Sequence, residues 1–428
     1  MRVSLLKDQQ FYLRCFVFVL VGAWCASFIG AVIDPAGKYT TVFCEGGGCK
    51  LYCYDFLGTV FQGVSLDPYN PHYSGMTCPY LPLTFLITWP FARLITATGT
   101  LSERGMNTTA IAGCFLWIAC FSACFFYALN RLRKKYHLPR YVLLGFLFNL
   151  VYIRDCLCSA NTVFLGAACI LLFVCCYDSE DKRERFWAAL ALACAAALKI
   201  HPVLFGLLYL PQKRYKEAFL STVFTLILAI GPFFFLKSDF SDSVSGLLRI
   251  VEKEGLPGGC WGLFTTYSVV RPFERIFFHS IGLFGDAFYK VDLFLCGLAA
   301  VCALLQTDFW KRLTLVSILI LFAPKVSWYS CYLYMFPSIM LFFATLPTRR
   351  GITNIAILTL FVSGMLPFPV AYADENRVLP LSALNMLLLL GYLLISTARD
   401  VLRGKRKECS SCQEMPSSLD LEGYRGRS

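Results

Sequence analysis

Charge is scarce in this sequence. Of its 428 residues, 15% are Asp, Glu, Lys or Arg, and 57% are hydrophobic. Soluble domains carry about a quarter charged residues, so a soluble globular domain of this length is excluded. Histidine is scarcer, four in all and scattered, and no Asp-x-Asp occurs. No metal-ligand set is legible, and neither a metal nor another cofactor is expected. The formal net charge of +12 is not the basic stripe of a nucleic-acid binder. It is divided among short clusters between apolar runs: "RLRKK" at 131–135, "DKRER" at 181–185, "QKRYK" at 212–216, "WKR" at 310–312, "TRR" at 348–350 and "RGKRK" at 403–407. No nucleic-acid partner follows from such a pattern.

Uncharged apolar runs are plentiful. The first, "CFVFVLVGAWCASFIGAVI" from Cys15 to Ile33, is long enough for one membrane crossing and follows Arg2, Lys7 and Arg14. The basic clusters fit cytoplasmic anchors under the positive-inside pattern. With every cluster placed inside, the loops 34–78, 237–285 and "PFPVAYADENRV" at 367–378 fall outside. The segment 79–97 must then dip in and return, or lie along the interface; if it crosses instead, one later segment must fail to cross. The expectation is an all-α integral membrane protein with about 11–13 membrane segments. Residues 1–400 form one polytopic domain, and 401–428 a polar, basic, disordered cytoplasmic tail. It is multi-pass in the cell or plasma membrane, its partner is the lipid bilayer, and both termini are cytoplasmic. Most of the 21 cysteines lie in apolar runs, where Cys behaves as a small hydrophobe. Cys44, Cys49, Cys53 and Cys78 sit in the first polar loop, where an oxidising side would allow one or two bridges.

Between "DKRER" and "QKRYK" lies "FWAALALACAAALKIHPVLFGLLYLP". Both flanks are basic, so the chain leaves and returns. Each arm has about a dozen residues, roughly 18 Å of helix against a core of about 30 Å. Two short helices meeting at "LKIHP" fit, bringing Lys199, His201 and Pro202 to the outer half of the membrane. An ionisable residue on irregular backbone at that depth is a functional candidate; the bland alternative is a snorkelling Lys199.

On this topology the unusual polar residues collect outside. They are Asp55, Asp67, Tyr69 and Tyr80 in or beside the first loop; Arg154, Asp155 and Asn161 at the hairpin "VYIRDCLCSANTVF"; Lys199 and His201 at the break; Lys325, Trp328 and Tyr329 in "APKVSWYSCY"; and Arg249, Arg271 and Arg275 in the second loop. Carboxylates supply a general base, cations suit a departing phosphate, and aromatic faces stack on sugars. A lipid-phosphate-sugar donor needs that set. The rival class is a transporter or flippase of a lipid-linked or small polar substrate, with the break as its midplane site. Its inverted repeats would give a second broken segment, and none is visible.

The order Asp55, Gly63, "DPY" 67–69, "CPYLP" 78–82 and Pro90 resembles the first outer loop of the family 87 glycosyltransferases. These are polyprenyl-phosphate-mannose-dependent α-mannosyltransferases of the GT-C superfamily. "LKIHPVLFGLLYLPQKRYKEA" from Leu198 is similar to the family's Lys-x-x-Pro segment and basic turn, and "APKVSWYSCYLYMFP" at 323–337 to its Pro-x-x-Ser-Trp segment. The resemblance runs from about residue 15 to residue 345. It implies a GT-C-type helix bundle with an outward-facing site. The implied reaction moves a hexose, mannose by family, from a polyprenyl-phosphate sugar to a glycan or glycolipid hydroxyl, with inversion. It puts the catalytic base on Asp55 and leaves Asp67 to hold its turn. Lys199, His201, Arg154 and Lys325 are the candidate phosphate ligands, and Tyr69, Tyr80, Asn161, Trp328 and Tyr329 the substrate contacts. Two departures stand out. The family's Gly-Gln-x-Asn step reads "CSAN", so Asn161 alone matches. Its His after Ser-Trp is absent, with Tyr329 and Ser330 following Trp328, and His201 and Lys199 are the substitutes.

In the second loop, "SVSGLLRIVEKEG" reads as an amphipathic helix with Val244, Leu247, Leu248 and Val251 on one face.

Overall fold

The computed structural model describes residues 2–33, 54–70, 80–94, 108–149, 160–254, 265–278, 283–324, 329–346, 352–365 and 381–413, with the backbone alone for some helical residues. Among them there is no strand. Four helices are long and apolar enough to cross a membrane: Ala112–Lys135, Tyr215–Phe235, Gly285–Leu305 and Ala383–Arg403. Shorter apolar helices accompany them at Gln10–Ala26, Val163–Cys176, Ser330–Ala344 and Thr353–Met365. The expected all-α polytopic architecture is what forms.

Length follows surroundings. Helices α1 (Arg2–Ile33), α2 (Tyr54–Gly63), α3 (Pro82–Leu94), α4 (Thr108–Lys135) and α5 (Val142–Leu147) precede a central α6 (Val163–Cys176). After α7 (Lys182–Leu198), a 3₁₀ segment (His201–Tyr209) and α8 (Tyr215–Ile230), the chain forms α9 (Phe240–Glu254), α10 (Thr266–Phe278), α11 (Gly285–Leu305) and a second central helix, α12 (Phe309–Phe322). Helices α13 (Phe336–Ala344), α14 (Ile352–Met365) and α15 (Leu381–Gln413) complete it. Eleven of the fourteen residues of α6 are buried, and eleven of the fourteen of α12. Helices apolar all round are core helices, so these two need not match the bilayer. Helix α11 instead leaves Leu293, Phe294, Leu298 and Val301 exposed, as a lipid-facing helix does. Helix α15 continues to Gln413, into the segment read as tail; residues 414–428 lie outside the described part.

The four basic clusters whose side chains are described, at 131–135, 181–185, 212–216 and 310–312, gather at one end. Arg131 pairs with Glu184 at 2.7 Å, Arg185 with Glu217 at 2.8 Å, and Lys311 with Asp308 at 2.6 Å and Asp400 at 3.2 Å. Arg214 donates to the Tyr177 carbonyl at 2.7 Å, and Tyr177 stacks on Phe309 at 5.2 Å. This fastens the starts of α7, α8 and α12 to the ends of α4 and α6 and to the middle of α15, and is called the basic end below.

Trp117 in α4 and Leu198 in α7 each lie fourteen residues, about 21 Å of helix, from the Arg131–Glu184 pair. They therefore mark one level at the opposite, loop end. Helix α3 touches both: Thr84 Oγ1 donates to the Leu198 carbonyl at 3.2 Å, and Phe91 meets Trp117 at 5.1 Å. It lies across α4 and α7 at that level, as the layout in which 79–97 lies flat expects. Helix α2 runs antiparallel on it, with Phe56 against Phe91 and Trp117, and with Gly63 over Phe85. A Cβ on Gly63 would sit 3.2 Å from Phe85 Cδ1, so the hairpin closes tightly there.

Candidate functional site

The break at "LKIHP" is real. Asp181 caps α7, its carboxylate accepting the Arg183 N–H at 2.9 Å. The alanine-rich helix then packs between α6 and α8 with Ala188, Ala189, Ala193, Ala195, Ala196 and Ala197 buried. It stops at Leu198, Lys199 turns to extended backbone (φ −152°, ψ 125°), and Pro202 starts the return. Proline cannot continue the ladder of α7, because it lacks an N–H and crowds the preceding turn. The return arm is 3₁₀, not the α-helix expected. Nine residues at about 2.0 Å each cover roughly 18 Å, more than an α-helix would from the same residues. Lys199 is half-buried beside the α3 hairpin, and His201 Nε2 is buried with no hydrogen-bond partner.

Asp55 lies in the first turn of α2, beside Phe56 and hence at the Trp117 end of the hairpin; its side chain is outside the described residues. Trp117 Nε1 donates to the Ala160 carbonyl at 3.1 Å, which brings the chain just before α6 to the same place. Lys199 is near the other end of α3. From Thr84 to Phe91 that helix covers about 10 Å. Base candidate and cation candidate thus flank one hairpin at one level.

Other candidates have structural duties. Tyr69 is buried, its ring against Phe85 (5.7 Å) and Phe233 (5.9 Å), and its hydroxyl donates to the Tyr80 carbonyl at 2.8 Å. Burial pushes its phenol well above the ordinary range. Its ring faces are taken by protein, so it braces the loop and offers no stacking face. Tyr80 is buried in the same cluster. Asn161 is buried and accepts the Val163 N–H at 2.9 Å, capping α6. Asp67 holds its turn as expected: Oδ2 accepts from Asn70 Nδ2 at 2.7 Å and Oδ1 from Ser238 Oγ at 2.6 Å. Arg154, Lys325 and Trp328 lie outside the described residues, as do the side chains of Tyr329, Arg271 and Arg275.

Three features were missed in the sequence. The apolar surface of α9 is split: Val244, Leu247 and Ile250 pack on Tyr69 and Phe233, while Leu248 and Val251 are exposed. Cys114, inside an apolar run, is disulfide-bonded to a partner outside the described residues. Asp292 is buried in α11, its Oδ1 accepting the Thr266 N–H at 2.9 Å and so fastening the start of α10. Its carboxylate in an apolar run was the available signal.

A family model described as Glycosyltransferase family 87 matches residues 79–327. The match covers Tyr80, Arg154, Asn161, Lys199, His201 and Lys325, and begins after Asp55 and Tyr69. No curated protein and no solved structure gives a match.

Proposed function

This chain belongs to glycosyltransferase family 87, and on that premise we propose that it transfers a hexose, mannose by preference, from a polyprenyl-phosphate donor to a glycan or glycolipid hydroxyl at the outer membrane face. The donor's lipid tail stays between helices and its phosphate docks at Lys199 and His201, with Arg154 and Lys325 as further ligands. The acceptor oxygen attacks the anomeric carbon from the face opposite the phosphate. Asp55 takes the hydroxyl proton, the anomeric carbon–oxygen bond breaks, and polyprenyl phosphate leaves with the electron pair. Cations fixed beside the leaving oxygens stabilise the charge that develops there. Inversion follows from the single displacement.

The observation that carries this reading is the α3 hairpin. Its contact with Leu198 joins the Lys199 break to the segment bearing Asp55, at the end away from the basic clusters. An anionic lipid donor entering from the bilayer needs a cation at that level and a base a sugar's length away.

The test is release of polyprenyl phosphate from polyprenyl-phosphate mannose by purified protein in proteoliposomes. The wild type should release it and label the acceptor, with Asp55→Asn folded but inactive. Wild-type rates from folded Asp55→Asn would sink the mechanism. Sugar crossing sealed vesicles without such release would sink the transferase reading.

A further inference from the structure

Beyond the hairpin lies a second polar feature that the proposed chemistry does not use. The turn after α2 and the helix α9 enclose a cavity of about 340 Å³, at the small end of the range for ligand pockets. Asp67, Asn70 and Ser238 form one wall; Asp242, Ser245 and Arg249 form the other.

The walls are held independently of any ligand. Leu66, in left-handed backbone at φ 56°, turns the chain so that its carbonyl accepts the Lys237 N–H at 2.8 Å. Asp67 bonds Ser238 across the same join. On the other side, a Cβ on Gly246 would lie 2.5 Å from the Tyr69 carbonyl oxygen, so α9 meets the turn as closely as backbone allows. Residues 242, 245, 246 and 249 share one helical stripe. Val244, Leu247 and Ile250 fasten an adjacent face to the Tyr69 cluster, which aims that stripe into the cavity.

The lining selects its ligand chemistry. Two carboxylates against one guanidinium repel phosphate and leave a lone cation poorly matched. Fixed carboxylates, an amide, hydroxyls and an arginine are complementary to vicinal hydroxyls. Asp67 has spare lone pairs after its two bonds, and Asp242 and Arg249 are exposed at the mouth. From Asp55 to Gly63, α2 covers about 12 Å, so a ligand here sits well away from the base. The geometry points to a binding site for a neutral oligosaccharide, holding the part of a glycan acceptor distant from its reacting hydroxyl. This rests on the glycosyl-transfer reading and names where its acceptor is held.

The experiment measures binding of mannotetraose to the full-length protein in nanodiscs by saturation-transfer NMR, beside the polyprenyl-phosphate release assay. Wild type and Leu248→Ala, which changes the exposed face of α9, should bind alike. Arg249→Ala and Asp242→Asn, both at exposed positions, should each weaken binding about tenfold, the loss of one charge-assisted hydrogen bond. Inorganic phosphate should not compete. No binding by wild type, unchanged binding in both cavity variants, or displacement by phosphate overturns the site. Binding lost in the variants while wild type releases no polyprenyl phosphate keeps the site and rejects the transferase reading. Release by wild type with binding unaltered in the variants does the reverse.

Discussion

The two ends of the bundle are built on opposite plans. At the basic end, cations meet their partners directly: Arg131 on Glu184, Arg185 on Glu217, Arg214 on the Tyr177 carbonyl, Lys311 between Asp308 and Asp400. The connections there are short, and the helices they join are regular. At the loop end the chain breaks its own rules. A helix stops at Lys199, its continuation is 3₁₀, and another helix lies flat across the bundle beside it. Irregular backbone at membrane depth is costly, and a fold tolerates it where it is buried in protein or lines a cavity. The difference teaches where to look: one end holds the bundle together, and the other is kept open for chemistry.

Substitutions that separate activity from stability test this division. The largest effect belongs to Asp55→Asn. A general base is worth about 10²- to 10⁴-fold, so polyprenyl-phosphate release should fall by at least about 10² while the thermal midpoint stays put. Next comes Lys199→Met, which keeps the stem and removes the charge. Loss of one stabilising charge at a leaving group costs on the order of 10²-fold in kcat, and stability should not fall, because Lys199 ends a helix on half-exposed backbone. A destabilised but catalytically normal Lys199→Met would place that lysine with the structural cations and blur the two-end distinction.

Which parts of this plan the sequence revealed depended on whether the signal was local. The break was legible because basic clusters on both sides forced a return and Pro202 marked the point. The flat helix α3 was half legible: charge bookkeeping allowed 79–97 to lie flat or to cross with a later segment failing to, and contacts with Leu198 and Trp117 lay it across the bundle. Asp67's role followed from its place before Pro68. An aromatic beside a suspected site suggests an open stacking face, whereas the Tyr69 ring packs on protein while the residue also lines the cavity under α9. Its burial comes from Phe85 and Phe233, and the second of these lies far away along the chain. The cavity wall joining Asp67 to Ser238 spans 171 residues, a pairing that no local pattern encodes. Nor does periodicity tell which of two apolar stripes on α9 meets protein.

At the basic end the order of effects should invert. Lys311 is the more consequential cation there: its side chain is 11% exposed and it serves two carboxylates, Asp308 before α12 and Asp400 on α15. Lys311→Ala leaves both without that cation. Asp308 is half-exposed and recovers water cheaply, so a loss of about 1–2 kcal/mol is expected. Denaturation in detergent should register it, and kcat on the surviving folded protein should match wild type. A fall in kcat larger than the folded fraction explains would mean that the basic end communicates with the site.

The smallest effect tests the comparison most strictly, because it predicts almost nothing. Arg131 and Glu184 form a short pair, 2.7 Å, yet their side chains are 40% and 38% exposed. Water and salt screen such pairs to a few tenths of a kcal/mol. Arg131→Gln should therefore leave both activity and thermal midpoint within error, and added salt should not widen the gap from wild type. The pair also borders a cavity of about 400 Å³ shared with Lys135, Cys175, Asp178 and Ser179. Were that cavity an anion site coupled to catalysis, removing one of its two cations would lower kcat in a salt-dependent way. A silent Arg131→Gln beside a disabling Lys199→Met would mean that two lysine- and arginine-bearing regions of one helix bundle differ in kind: one set of charges orients and fastens, the other meets the substrate.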